Sequence, residues 1–277
     1  MSAGPKVVLI TGATSGVGQA IARHLAGKGY RVYGAGRSVP LLTQESQESG
    51  VSMLRMNVDH DDSVQEGVKA ILQREGRLDV VVNSAGFGLA GAIEDTTLDE
   101  AQAQFQTNFF GVLRVCRAVL PSMREQRSGY IVNISSLAGL FAVPFQGLYS
   151  ASKFALEGLS EALRMEVRPF GVRVVLIEPG DLCTGFTANK RIAAQASGEG
   201  SPYQDRFNRA LAVSRTEETH GPSPAALGPL VAKIIATAEP RLRYTYGPFA
   251  QTSAVILKRT LPQGAFEGLM MSHYGVR

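Results

Sequence analysis

Short runs of β-branched residues alternate with longer stretches of helical apolar spacing over roughly the first 180 residues, and few architectures satisfy that pattern. The runs are Lys6 to Ile10, Arg31 to Ala35, Val51 to Val58, Leu78 to Asn83, Tyr130 to Ser135 and Val172 to Glu178. Between them, Ile21 and Leu25 mark a helix that stops at Gly29, and segments 62–75, 98–126 and 149–168 carry apolar residues at helical spacing. The first run is apolar throughout, as in a central strand buried on both faces. Right-handed crossovers through the intervening helices wind such strands into one parallel α/β sheet with helices on both faces.

The pattern changes after Pro179. Residues 185–224 are rich in Gly, Ser, Ala, Arg and Glu and read as a helical flap or substrate lid. A helix over 224–238 and a last strand at 242–246 close the sheet, giving a doubly wound sheet of about seven strands. The tail, 248–277, carries Phe249, Val255, Ile256, Leu257, Leu261, Phe266, Met270 and Met271, too apolar for a solvated linker. No repeat or Pro/Gly/Ser linker divides the chain, so 1–277 reads as one domain.

Composition excludes several classes of function. The net charge is only +4, and the basic residues are scattered with no run of four, which disfavours nucleic acid as a partner. His24, His60, His220 and His273 lack metal-site spacing, and Cys116 and Cys183 have no CxxC relation, so both thiols are expected to be reduced and buried in a cytoplasmic protein. No apolar stretch approaches the ~20 residues of a membrane span. The apolar tail with Lys258 and Arg259 is the one candidate for surface contact with a membrane, and no long amphipathic helix supports it.

Thr11-Gly12-Ala13-Thr14-Ser15-Gly16-Val17-Gly18 follows the first strand and opens the first helix. Glycines there permit a tight turn and let backbone approach a pyrophosphate, whose charge the helix N-terminus meets. The spacing is GxxxGxG, in a Rossmann-like position at the first strand–helix junction. The second strand ends in Gly36-Arg37-Ser38 with no acid, so a ribose 2′-phosphate meets a guanidinium and a hydroxyl. NADP(H) is favoured over NAD(H) on that basis.

Tyr149 and Lys153 stand one helical turn apart in Tyr-Ser-Ala-Ser-Lys. An ammonium at that position stabilises a phenolate and makes the tyrosine a usable acid/base near neutrality. Ser135 and Ser136 end the fifth strand, where ligands of open α/β sheets sit, and either hydroxyl can bond a substrate carbonyl. Asn108, inside the long segment 98–126, can hold a proton-relay water.

Taken together, these residues resemble the single-domain branch of the short-chain dehydrogenase/reductase family. TGATSGVG at 11–18, Asn83-Ser84-Ala85-Gly86, Asn108, Ser136, Tyr149 with Lys153, and Pro179-Gly180 occur in the family's order over about residues 5–185. The resemblance implies Ser136, rather than Ser135, as the catalytic serine and Tyr149 as acid/base. It also implies that Lys153 binds the nicotinamide ribose, Asn108 holds the relay water and Thr184 contacts the carboxamide. Thr14, Ser15, Val17 and Gly18 of the loop, with Asn57, Val58, Asn83, Ala85, Gly86, Pro179 and Gly180, complete the implied cofactor site. Two positions depart from the family pattern: Ser84 stands where it has asparagine, and Asn57 where it has an aspartate that meets the adenine amino group.

The expected substrate wall is apolar, from 137–145 with Phe141, Val143 and Phe145, from Phe87-Gly88-Leu89, and from Phe186, with no arginine or lysine for an acid. This favours a lipophilic carbonyl or alcohol. The tail and the Leu-Arg-Tyr-Thr-Tyr strand loosely resemble the hydroxysteroid- and retinol-dehydrogenase-like subgroup. A 3-oxoacyl thioester reductase and a non-catalytic NADP(H)-sensing protein are the alternatives, and a homodimer or homotetramer is expected.

Overall fold

The computed structural model describes residues 4–39, 50–184, 190–198 and 200–277. Seven strands form one parallel sheet: β1 (Val7–Thr11), β2 (Arg31–Gly36), β3 (Val51–Arg55), β4 (Val80–Asn83), β6 (Gly129–Ile134), β7 (Val172–Pro179) and β9 (Arg243–Tyr246), in the order β3-β2-β1-β4-β6-β7-β9. Every adjacent pair is parallel. A separate two-stranded ladder joins β5 (Leu89–Ala90) to β8 (Arg191–Ile192).

Alternate strand residues feed two cores, as the period of two requires. Val7, Leu9, Val81, Ile131 and Val174 face helices α2 (Asp61–Glu75), α4 (Gly111–Glu125) and α5 (Gly147–Val167). Val8, Ile10, Val80, Val82, Val132 and Val175 face α1 (Gly16–Gly27) and α7 (Leu227–Ala236). Helices therefore cover both faces, and the strand order reverses between β1 and β4. At such a switch point the crossovers diverge and leave a crevice beyond the strands' C-terminal ends.

The expected helix over 98–126 is interrupted. It comprises α3 (Leu98–Phe105), capped by a Thr97/Glu100 capping box, then one π turn over Gln106–Phe110, then α4. Beyond β7, α6 (Gln204–His220) follows β8, and the tail forms two helices, α8 (Phe249–Thr260) and α9 (Gln263–His273). Among the described residues no helix is long and apolar enough to cross a membrane. Cys116 is buried and its thiol is pushed up to about 12 by burial, whereas Cys183 is exposed, contrary to expectation, because it lies beyond the sheet in the segment leaving β7.

Candidate active site

A cavity of about 760 Å³ opens over the C-terminal ends of β1, β2, β4, β6 and β7. That volume lies in the usual ligand-site range of ~300–1,000 Å³. One end is built from the glycine loop. Gly12 takes φ +66°, and a Cβ there would meet the Ala85 backbone at 2.8 Å, so only glycine allows the loops after β1 and β4 to touch. Thr11 Oγ1 fastens the same two loops by accepting from the backbone N–H groups of Ser84 and Ala85 at 3.0 and 3.1 Å. Ser15 is the N-cap of α1 but makes no side-chain bond to the helix, so its first-turn N–H groups are left to an anion in the cavity.

Gly12, Thr14, Ser15, Gly16, Val17, Arg37, Asn57, Val58, Ala85, Gly86, Pro179, Gly180 and Thr184 all line this cavity. The extended groove, the uncapped helix start and the arginine beyond β2 fit a dinucleotide. Met56, Asp59 and Thr107 also line it, a contribution no sequence motif marked.

Four expected cofactor or catalytic residues are not among those that line the cavity. Gly18 does not line the cavity. A Cβ on it would lie 2.4 Å from the Gly12 carbonyl oxygen, so it is a packing glycine. Ser38 is exposed outside the lining. Asn83 is buried within the sheet, donating to Asn133 Oδ1 at 2.8 Å, because β4 and β6 pair there side by side. Asn108 is buried in the π turn with both ends of its amide engaged: Oδ1 accepts from Phe87 N at 3.1 Å, and Nδ2 donates to Phe87 O at 2.9 Å and Ser152 Oγ at 3.3 Å. Its side chain clamps the loop after β4 and lies outside the cavity lining. Asn57 lines the cavity, and its Oδ1 accepts from Asp59 N at 3.2 Å with a second lone pair left over.

At the other end Ser136, Tyr149 and Lys153 converge on the cavity. Ser136 follows β6 as the N-cap of the short turn Leu137–Gly139, with Ala138 N donating to its Oγ at 3.1 Å. Burial pushes the Tyr149 hydroxyl up to about 12, and its hydrogen bond with Ser136 works in the opposite direction. Lys153 Nζ lies 5.8 Å from the Tyr149 ring centre and donates to Ile134 O at 2.9 Å. Burial pushes that ammonium down to about 8, against the raising influence of Glu157 one turn along. Ser135 also borders the cavity, but the bond to Tyr149 comes from Ser136.

Phe87, Leu137, Ala138, Phe141 and Val143 form the apolar wall, joined by Ala254, Leu257, Leu269 and Met270 of the tail. Phe145 instead packs edge-on against Phe207, with centroids 5.8 Å apart, and Phe186 lies outside the described residues. The wall is less uniformly apolar than expected: Asp181, Arg191, Glu217, Glu218 and His273 line it too. No spacing in the sequence linked these residues, which come from the segments after β7, β8 itself, α6 and α9.

Residues 6–195 match the family model for short chain dehydrogenases. The chain belongs to the short-chain dehydrogenase/reductase family. It is 43% identical over 274 residues to a 3-ketodihydrosphingosine reductase of Bacteroides thetaiotaomicron, covering 99% of each chain. It is 34% identical to retinol dehydrogenase 8 of Bos taurus, over 96% of this chain and 88% of the other. A solved short-chain dehydrogenase from Streptomyces avermitilis shares the fold at TM-score 0.79 with 29% identity, covering 98% of this chain and 97% of that one. As a short-chain dehydrogenase/reductase the chain is an oxidoreductase that acts on alcohol or carbonyl groups with a nicotinamide cofactor.

Proposed function

We propose that this short-chain dehydrogenase/reductase is an NADP(H)-dependent reductase of a long-chain lipophilic ketone, of the kind named in its Bacteroides relative, 3-ketodihydrosphingosine. The observation that carries the chemistry is the hydrogen-bonded Ser136–Tyr149 pair beside Lys153 at the apolar end of the cavity. The glycine loop and the start of α1 would hold the pyrophosphate. Arg37 would hold a 2′-phosphate, and Asn57 and Val58 the adenine. Pro179, Gly180 and Thr184 would border the nicotinamide. A bound nicotinamide cofactor supplies the hydride.

The chain's own residues manage the proton. Ser136 Oγ–H donates to the substrate carbonyl oxygen and polarises it. Tyr149 delivers its proton to that oxygen as negative charge develops there, and the Lys153 ammonium stabilises the phenolate left behind. The apolar wall from Phe141 to Met270 excludes water and takes up the substrate's hydrocarbon. The segment 185–224, of which 185–189 and 199 lie outside the described residues, would act as a substrate lid. Similarity to retinol dehydrogenase 8 favours a second reading, a retinoid alcohol or aldehyde.

The test is NADPH consumption with 3-ketodihydrosphingosine, all-trans-retinal, a steroid ketone and a 3-oxoacyl thioester, each repeated with NADH. Higher kcat/KM for the sphingoid ketone with NADPH is expected. Preference for retinal would select the second reading, and turnover of the thioester alone would overturn both.

A further inference from the structure

Behind Lys153, the buried face of α5 continues with a carboxylate. Tyr149, Lys153 and Glu157 follow one another at four-residue spacing, and all three are buried, but only Tyr149 and Lys153 line the cavity. Two residues of the sheet meet Glu157 there. Leu176 of β7 packs in the core that faces α5, so Glu178, two residues on, points the same way, and Arg243 of β9 stands opposite Leu176 in the ladder.

One guanidinium serves three carboxylates at this meeting point. Arg243 Nε donates to Glu157 Oε2 at 2.9 Å and lies 3.0 Å from Glu178 Oε1, while its Nη2 donates to Glu161 Oε1 at 2.5 Å. Glu178 is 1% exposed and Glu157 5%, whereas Glu161 is half exposed. The turn after Ser136 closes over the same place. A Cβ on Gly139 would lie 3.0 Å from Ser135 Oγ and 3.2 Å from both Glu157 Cγ and the Lys153 carbonyl carbon, so little water screens the charges beneath it.

The two buried acids compete for that cation. Burial, then the charge of Glu157, push the Glu178 carboxyl up to about 7, against Arg243 and Arg259 of α8. Glu178 also bonds to Glu157, which two carboxyl groups do only by sharing a proton. Burial pushes the Glu157 carboxyl up as well, with Glu161 adding to it, while Ser135 and Arg243 hold it down. Arg243 is the cation among these influences, so the negative charge of Glu157 depends on it. Lys153 depends on that charge in turn: its ammonium is destabilised by burial, and Glu157 offsets the loss.

We infer that Arg243 is a positioning residue for Lys153: it holds Glu157 as a carboxylate beside the ammonium, so that an arginine on the last strand, outside the cavity, keeps the lysine inside it charged. From the reading above this takes only that the charge of Lys153 matters for reduction. Without Arg243 the two buried acids lose their ion-pair partner and both take up protons. Lys153 then loses the charge that offsets its burial and gives up its own proton at a lower pH.

The experiment titrates the carbon-13 signal of the Lys153 side chain by NMR in the full chain, identified by its absence in Lys153→Met, beside the pH profile of kcat/KM for reduction. Arg243→Met and Glu157→Gln should each move the Lys153 titration, and the alkaline fall in kcat/KM with it, down by about one pH unit, and the double variant should move it no further. Arg243→Lys should restore most of the shift, and Arg243→Gln repeats the test should Arg243→Met not fold. Glu178→Gln removes the competing acid and Glu161→Gln an exposed one, so neither should move the titration down. General damage to the fold would not sort the variants by sign. A Lys153 titration unchanged when Arg243 loses its charge, or a fall in Glu178→Gln equal to that in Arg243→Met, overturns the inference. A titration that moves as stated while kcat/KM keeps its profile upholds the inference and overturns the role given to Lys153 in reduction.

Discussion

Lys153 reaches its ammonium to 5.8 Å from the centre of the Tyr149 ring while anchored on the Ile134 carbonyl at 2.9 Å, so the end of β6 fixes the distance between acid and cation. Without that anchor a lysine would be free to extend into solvent. If Tyr149 is the acid, Tyr149→Phe keeps the ring in its buried place and removes only the proton. Reduction should fall by roughly 10²–10⁴ in kcat with NADPH affinity retained, measured by steady-state kinetics and a fluorescence titration. Residual turnover within tenfold of wild type would remove Tyr149 from that role.

The buried ammonium also sets a pH limit. Lys153 is pushed down to about 8, so it loses its charge as the pH rises through that value. The phenolate that forms at Tyr149 then lacks its cation, and kcat/KM for reduction should decline above that pH and level off below it. A profile flat well into the alkaline range would dissociate Lys153 from the chemistry. Lys153→Met should abolish this limb together with most of the activity.

Arg37 tests the cofactor preference. It is exposed at the end of β2 and borders the cavity. Arg37→Ala should raise the KM for NADPH about tenfold, equivalent to ~1.4 kcal/mol, and leave that for NADH unchanged. Equal effects on the two cofactors would mean that no 2′-phosphate meets the guanidinium.

Asn108 is expected to act through position. Asn108→Ala would leave the backbone N–H and C=O of Phe87 without their side-chain partners. A loss of about 2–4 kcal/mol in unfolding free energy is expected from the two stranded groups, read by chemical denaturation. If stability is unchanged while turnover collapses, the side chain serves the reaction directly.

Gly12→Ala tests the meeting of the two loops. The new methyl must accommodate φ +66° and a backbone atom at 2.8 Å, so the loops must part. NADPH binding should weaken and the fold lose about 1–3 kcal/mol, seen in a titration and a melt.

The strands and helices of the doubly wound sheet were legible because each βα step announces itself locally: Val7 to Ile10 has no polar interruption, Gly29 ends the first helix, and Pro179 closes the last central strand. The interruption of the segment from 98 to 126 was not legible. Nothing in Gln106–Phe110 signals a π turn, which turns Asn108 toward Phe87 through contacts made after the chain has folded. The surroundings of Asn83 were hidden for a related reason. Its motif is local, but its partner, Asn133, is supplied by a neighbouring strand fifty residues away.

By itself the sequence determined what is periodic or contiguous: the alternation that makes a doubly wound sheet, a glycine loop at the first strand–helix junction, and a tyrosine and lysine one helical turn apart. Tertiary structure alone decided how the substrate wall is charged. Asp181, Glu217 and His273 share no spacing, yet they border one cavity because the segment after β7, helix α6 and helix α9 fold over the same end of the sheet. Periodicity encodes which face of an element is buried, and only packing sets which distant elements bury their polar faces together.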